Sequence, residues 1–311
     1  MKSLKMIASG IGLLLVLSIG IMSTVYADSD TKEDSINEKY GLPVVVYGEA
    51  LSEAQKEEVR ELLDVEDPSM VKEITVTGED LVYYIGGDAH SNMYSSAKIT
   101  RNDSGEGLVI NQVTPENITE VTNEMYANAL LTAGIEDAVV DVASPVKVSG
   151  HSALVGIYKA YDEGEGTALN KDRTEVANEE LSLATQLAQK EGLDQDKVSE
   201  LLTEIKQQIA DLDPASKEEV EQIIDERLKS LEISLSPEDR QLLIDLFEKM
   251  RNLNINFDNV QSQLENLAND IQKRIEDVVG DKGFLQKIGD FFQQIFDFFK
   301  KLIESIMSLF S

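Results

Sequence analysis

Cysteine and tryptophan are absent from this chain of 311 residues, and histidine occurs only twice. Without a thiol there is no disulfide framework, thiolate zinc site, cysteine nucleophile or thioredoxin-like redox pair. Cations are scarce as well: 28 Lys and Arg stand against 58 Asp and Glu, a net charge of −30. Nucleic-acid binding draws most of its affinity from neutralising phosphates, so no nucleic-acid partner is expected of a field with this sign. No glycine-rich phosphate loop is present either. What the chain does have is 42% apolar residues, enough for a packed core and too much for wholesale disorder.

The apolar residues are unevenly placed. Lys2 and Lys5 precede an uncharged run from Met6 to Met22, and Val25-Tyr26-Ala27 offers small residues where a signal peptidase cuts. Residues 1–27 are therefore read as a cleaved signal peptide, with an uncleaved membrane anchor as the alternative. Export normally permits disulfides, yet there is no Cys to form one, so the fold must stand on its core alone. Residues 28–41 form an acidic, aperiodic leader.

From Leu42 the pattern is α+β. Leu42–Tyr47 is a β-branched run closed by Gly48, and Ser52-Glu53-Ala54-Gln55 is a capping box opening a helix to about Leu63. Further β-type runs at Glu73–Thr77, Leu81–Ile85 and Ala97–Arg101 are expected to pair as antiparallel neighbours. Leu108–Val113 and Ala138–Ala143 flank a helix, expected to start at Thr114-Pro115-Glu116 and to close at Gly134. A crossover of that length makes the two strands parallel and right-handed, giving a mixed sheet with helices on at least one face. A last helix from about Ser152 to Tyr161 ends an α+β domain at residues 42–166.

Residues 172–280 carry no strand-like segment. Val198, Leu201, Leu202, Ile205 and Ile209 recur at three- and four-residue spacing, and so do Val220–Leu231, Leu242–Met250 and Val260–Ile275. This predicts an all-α bundle or stack of hairpins, with proline at the first helical position after Asp213 and after Ser236. Segments near Leu212, Leu235 and Phe257 resemble one another weakly, as helical hairpins can.

Several motifs suggest chemistry and lack a part of it. Gly150-His151-Ser152-Ala153-Leu154 is close to the nucleophile elbow of α/β-hydrolases, but Leu154 stands where a second Gly is required and no His follows the serine. The plainer reading makes Ser152 the helix cap and places His151 in the first turn. Asp88-Ala89-His90 has no partner elements for a metal site and reads as a polar hairpin tip. Asp28-Ser29-Asp30 and Asp194-Gln195-Asp196 lack the Gly and distant Glu of an EF-hand, so no cofactor is expected beyond loosely held calcium. Carboxylate-pair chemistry, as in glycoside hydrolysis, survives the composition, since it needs two suitably spaced acids. No catalytic residue is assigned.

The sharpest feature is the C-terminus, residues 281–311, where seven of the nine Phe fall. Phe284, Phe291, Phe292, Ile295, Phe299, Leu302 and Ile306 belong to a broad apolar stripe whose flanking charges cancel. A helix of this kind suits a membrane interface or a partner's groove, or it packs on its own bundle. Anionic lipid would repel the rest of the chain.

The segments Leu42–Val45 to Glu53, Val109–Thr119, Val148–Gly150 with Ala153–Tyr161, and Leu235–Glu238 resemble the YpuA-type secreted proteins of Gram-positive bacteria, which carry a domain of unknown function. The resemblance spans roughly residues 35–275 and leaves the Phe-rich end outside. It implies export and this architecture, and it carries no catalytic motif. The expectation is a non-enzymatic interaction module at the cell envelope, with a carboxylate-based wall-glycan enzyme and a peripheral membrane protein as alternatives.

Overall fold

In a computed structural model the described residues are 39–163, 168–190, 193–253, 255, 257 and 260–279, the side chains of 274–279 excepted. They form an α+β structure built on one five-stranded mixed sheet. The strands are β1 (Val44–Gly48), β2 (Lys72–Val76), β3 (Ser96–Arg101), β4 (Leu108–Gln112) and β5 (Ala138–Ala143), in spatial order β2-β1-β3-β5-β4. β1 runs parallel to β2 and β4 parallel to β5, whereas β3 lies antiparallel between β1 and β5.

Period-two alternation assigns the faces. Val44, Val46, Ala97, Ile99, Val140 and Val142 point into the main core. Val45, Tyr47 and Ala143 point the other way, onto α1 (Glu53–Leu62), where they meet Leu51, Val59 and Leu63. The main-core face is covered by α3 (Asn123–Ala133) and α4 (His151–Glu163), and α2 (Gly78–Ile85) packs on α4. On α4, Gly156 allows close approach to the sheet, since a Cβ there would lie 3.0 Å from Val46 Cγ1.

Four features differ from the sequence reading. Leu81–Ile85 is helical within α2, because Thr77 and Asp80 form a reciprocal capping box and Gly86 closes the helix with φ 63°. The buried Leu81 and Tyr84 are three residues apart, as on a helix face. That leaves β2 paired in parallel with β1 rather than with an antiparallel neighbour. α3 begins at Asn123, not after Thr114-Pro115: Thr122 Oγ1 accepts from Met125 N, while Thr114 makes a turn and accepts from Ser144 N at 2.9 Å. Finally, Asp213-Pro214 ends a helix instead of starting one, with Asp213 left-handed at φ 44° and Ser216 capping the next.

The helical half comprises α5 (Lys171–Ala188), α6 (Gln195–Leu212), α7 (Lys217–Ser230), α8 (Pro237–Asn252) and α9 (Gln261–Val279). Pro237 occupies the first turn of α8 behind its Ser236 cap, as the sequence predicts. α5 packs on α3, α6 on α5 and α9, and α8 on α5 and α7. The buried apolar residues of sheet and helices join in one cluster from Val44 to Leu264. No helix among the described residues is long and apolar enough to cross a membrane.

Candidate functional site

The chemistry of the described fold converges on α6, which is buried on nearly every side. Its apolar ridge Val198-Leu201-Leu202-Ile205 is expected to be covered; its polar positions are covered too. Ser199, Glu200, Thr203, Glu204 and Lys206 are each 2% exposed or less.

On the side facing α3 and α5, Lys206 is wholly buried. Its Nζ lies 2.5 Å from Glu180 Oε1 and donates to the Asn128 carbonyl at 2.7 Å and to Asn128 Oδ1 at 3.2 Å. Two hydrogen bonds to Asn128 and a close ion contact with Glu180 thus hold the ammonium. Thr132 Oγ1 donates to Glu180 Oε2 at 2.6 Å, and Asn128 Nδ2 donates to Thr203 Oγ1 at 2.9 Å. Burial pulls the Lys206 ammonium below its ordinary pKa, and Glu180 opposes that pull. Tyr158 on α4 is also buried; desolvation first, then the Glu180 charge, push its phenol well up. A buried ion pair of this kind is held by geometry and surrounding hydrogen bonds, because Coulomb attraction alone rarely repays the desolvation.

On the opposite side, toward α7 and α9, stand Glu200 and Glu204. Arg227 of α7 donates to Glu204 Oε2 at 3.3 Å, with both side chains 2% exposed or less. Burial raises both carboxyls above the ordinary range, Glu200 to about 8. This pair has the raised pKa of a general acid, yet it is closed to solvent, so no sugar reaches it in this conformation.

The motif residues from the sequence are scattered. His151 Nε2 is 3.2 Å from Thr185 Oγ1, and burial lowers its pKa. Helix α4 starts at His151 itself, so Ser152 lies in its first turn and is not the cap. The preceding Gly150 has φ 108° and sits where a Cβ would meet Ile118 Cγ2 and Tyr126 Oη at 2.8 Å. Its carbonyl accepts from the Tyr126 hydroxyl at 2.6 Å, so this glycine serves a tight packing corner. His90 is an exposed neighbour of Asp88, at 3.1 Å. Among the described residues no group of three His, Asp or Glu could hold a metal ion. Phe284, Phe291, Phe292, Ile295, Phe299, Leu302 and Ile306 lie outside the described residues.

The buried charges escaped the sequence reading because 58 acids make any one of them uninformative. The stripe Ser199-Thr203-Lys206 gave no local signal either, since the same helix carries Lys197, Gln207, Gln208 and Asp211 at positions that also read as solvated.

Comparison with known proteins agrees with the resemblance drawn from the sequence. The chain is 36% identical over 255 residues to the uncharacterized protein YpuA of Bacillus subtilis (strain 168), covering 80% of this chain and 85% of that protein. No solved structure matches it. A family described as protein of unknown function, DUF1002, matches residues 47–267, which take in the end of β1, the other four strands, the Lys206–Glu180 pair and the Glu200–Glu204–Arg227 group. The chain belongs to the DUF1002 family.

Proposed function

We propose that this chain is an exported, envelope-associated interaction protein whose described fold is a rigid frame and whose Phe-rich segment 284–311 is the docking element. One observation carries the reading: the groups that could do chemistry, Lys206, Glu180, Glu200, Glu204 and Tyr158, are all 2% exposed or less. They are spent on holding helices together, which leaves the acidic coat and the neutral aromatic end to meet a partner. The N-terminal run Met6–Met22 behind Lys2 and Lys5 supports export. A wall-glycan enzyme is disfavoured on this reading, since an acid and a base must line an open cleft.

The test compares the full chain with one shortened to end at Gly280. The full chain is expected to co-sediment with a cell-envelope fraction, and the shortened one to stay in solution with unchanged circular dichroism. Co-sedimentation of both in equal measure overturns the docking role. Parallel sedimentation with vesicles of zwitterionic lipid tells a lipid surface from a protein or wall component.

A further inference from the structure

Glu200, Glu204 and Gln208 follow one another at four-residue spacing, so they stack along a single ridge of α6. They are 1%, 2% and 8% exposed. In each of the three, Oε1 has no hydrogen-bond donor among the described residues. From α7, Arg227 reaches Glu204 Oε2, and Glu226 Oε2 accepts from Gln208 Nε2 at 3.5 Å. α9 presents Gln272, itself 8% exposed, which hydrogen-bonds Glu200. On α6 and its cap, Lys197 and Asp194 act on Glu200 with opposite signs. α3 carries Glu124, 8% exposed, one turn ahead of Asn128, and α5 contributes Glu180, which is engaged with Lys206.

The seam thus buries two carboxyls one helical turn apart, of which Glu204 meets the Arg227 guanidinium and Glu200 meets Gln272. Ionising both there is costly, because desolvation and like charge act in the same direction. One proton resolves the two orphaned acceptors together: a Glu200 hydroxyl supplies a donor, and the neighbouring Glu204 carboxylate, one turn on, can take it.

We propose that Glu200 and Glu204 hold one proton between them, that this proton keeps α9 seated on α6, and that its loss loosens α9. The seam is then a proton-sensitive latch at the base of the C-terminal segment. Burial, with the Glu204 charge as the second cause, pushes Glu200 well above the ordinary carboxylate range, to about 8. A carboxyl raised in this way stabilises the docked state fully below its unfolded value, and the contribution is lost as pH climbs through the folded one. The latch is therefore shut in acid and slackens toward the alkaline side.

The absence of Cys allows clean labelling. Lys229→Cys on α7 and Asn269→Cys on α9, both at exposed positions, give the full chain two spin-label sites across the seam. Electron–electron distance measurements are expected to show a narrow distribution at about pH 6 and a broader, longer one at about pH 9. In Glu200→Gln, which keeps the shape without titrating, the distribution stays narrow at both. Glu200→Met, apolar and of similar length, carries the same expectation should the amide not fold. Identical distributions at both pH values in the Glu200 chain, or a pH response that persists in the variants, overturn the latch. Both labels lie in described helices, so this result stands apart from whatever residues 281–311 bind.

Discussion

Lys206 shows how one residue can hold two layers together. Its ammonium joins α6 to the α3 backbone at Asn128 and to Glu180 on α5, so the helical half is pinned to the helix that covers β4. Removing one partner of such a pair leaves a buried charge without compensation, which costs about 3–5 kcal/mol. Lys206→Met is thus expected to lower stability by roughly that amount in urea denaturation, and adding Glu180→Leu to recover most of the loss. A double variant no more stable than Lys206→Met would mean that the pair contributes nothing beyond its separate hydrogen bonds. None of this was legible beforehand. Ser199, Thr203 and Lys206 look like a solvated stripe until α3 and α5 are known to lie on it.

At the level of elements, β4 poses a problem that α3 and α9 answer. It is an edge strand, and Leu108–Val113 contains neither charge nor proline, the usual protections of an edge. Two of its outward N–H groups are instead capped by side chains: Leu108 N donates to Gln263 Oε1 at 2.9 Å and Gln112 N to Asn123 Oδ1 at 3.1 Å. The other edge, β2, carries Glu73, which Arg60 of α1 clamps through Nε at 2.7 Å. Replacing Gln263 and Asn123 together by Leu is expected to uncover β4 and produce concentration-dependent association in analytical ultracentrifugation. An unchanged sedimentation profile would show that the caps do not guard the edge. Elements with long periodic patterns, α6, α7 and α8, were readable from spacing alone. Leu81–Ile85 was not, because a short apolar run is ambiguous between strand and helix, and the deciding Thr77–Asp80 box lies just before it. The start of α3 was misread for a similar reason: Thr114-Pro115 and Thr122 both look like openings, but only Thr122 accepts from the N–H three residues on, while Thr114 takes the distant Ser144 N.

Over the whole molecule the charge of −30 is a self-repelling coat. The exposed ion pairs set against it, Lys249–Glu179 and Arg240–Asp225 among them, are worth about 0–1 kcal/mol each in water. Salt screens repulsion and pairing alike, but the excess of acids makes repulsion the larger sum. Raising ionic strength at neutral pH is therefore expected to lift the melting temperature by roughly 2–4 °C in a circular-dichroism melt. A fall would mean that the pairs outweigh the repulsion. The α+β class, the parallel β4–β5 unit and the helical half were determined by the sequence itself, since period two, period 3.6 and cap residues act over a few neighbours along the chain. Which charges are buried was decided by the tertiary structure alone. Burial of Glu180, Glu200, Glu204, Lys206 and Arg227 depends on which helices close over α6, and packing across distant segments leaves no local mark on an acid among 58.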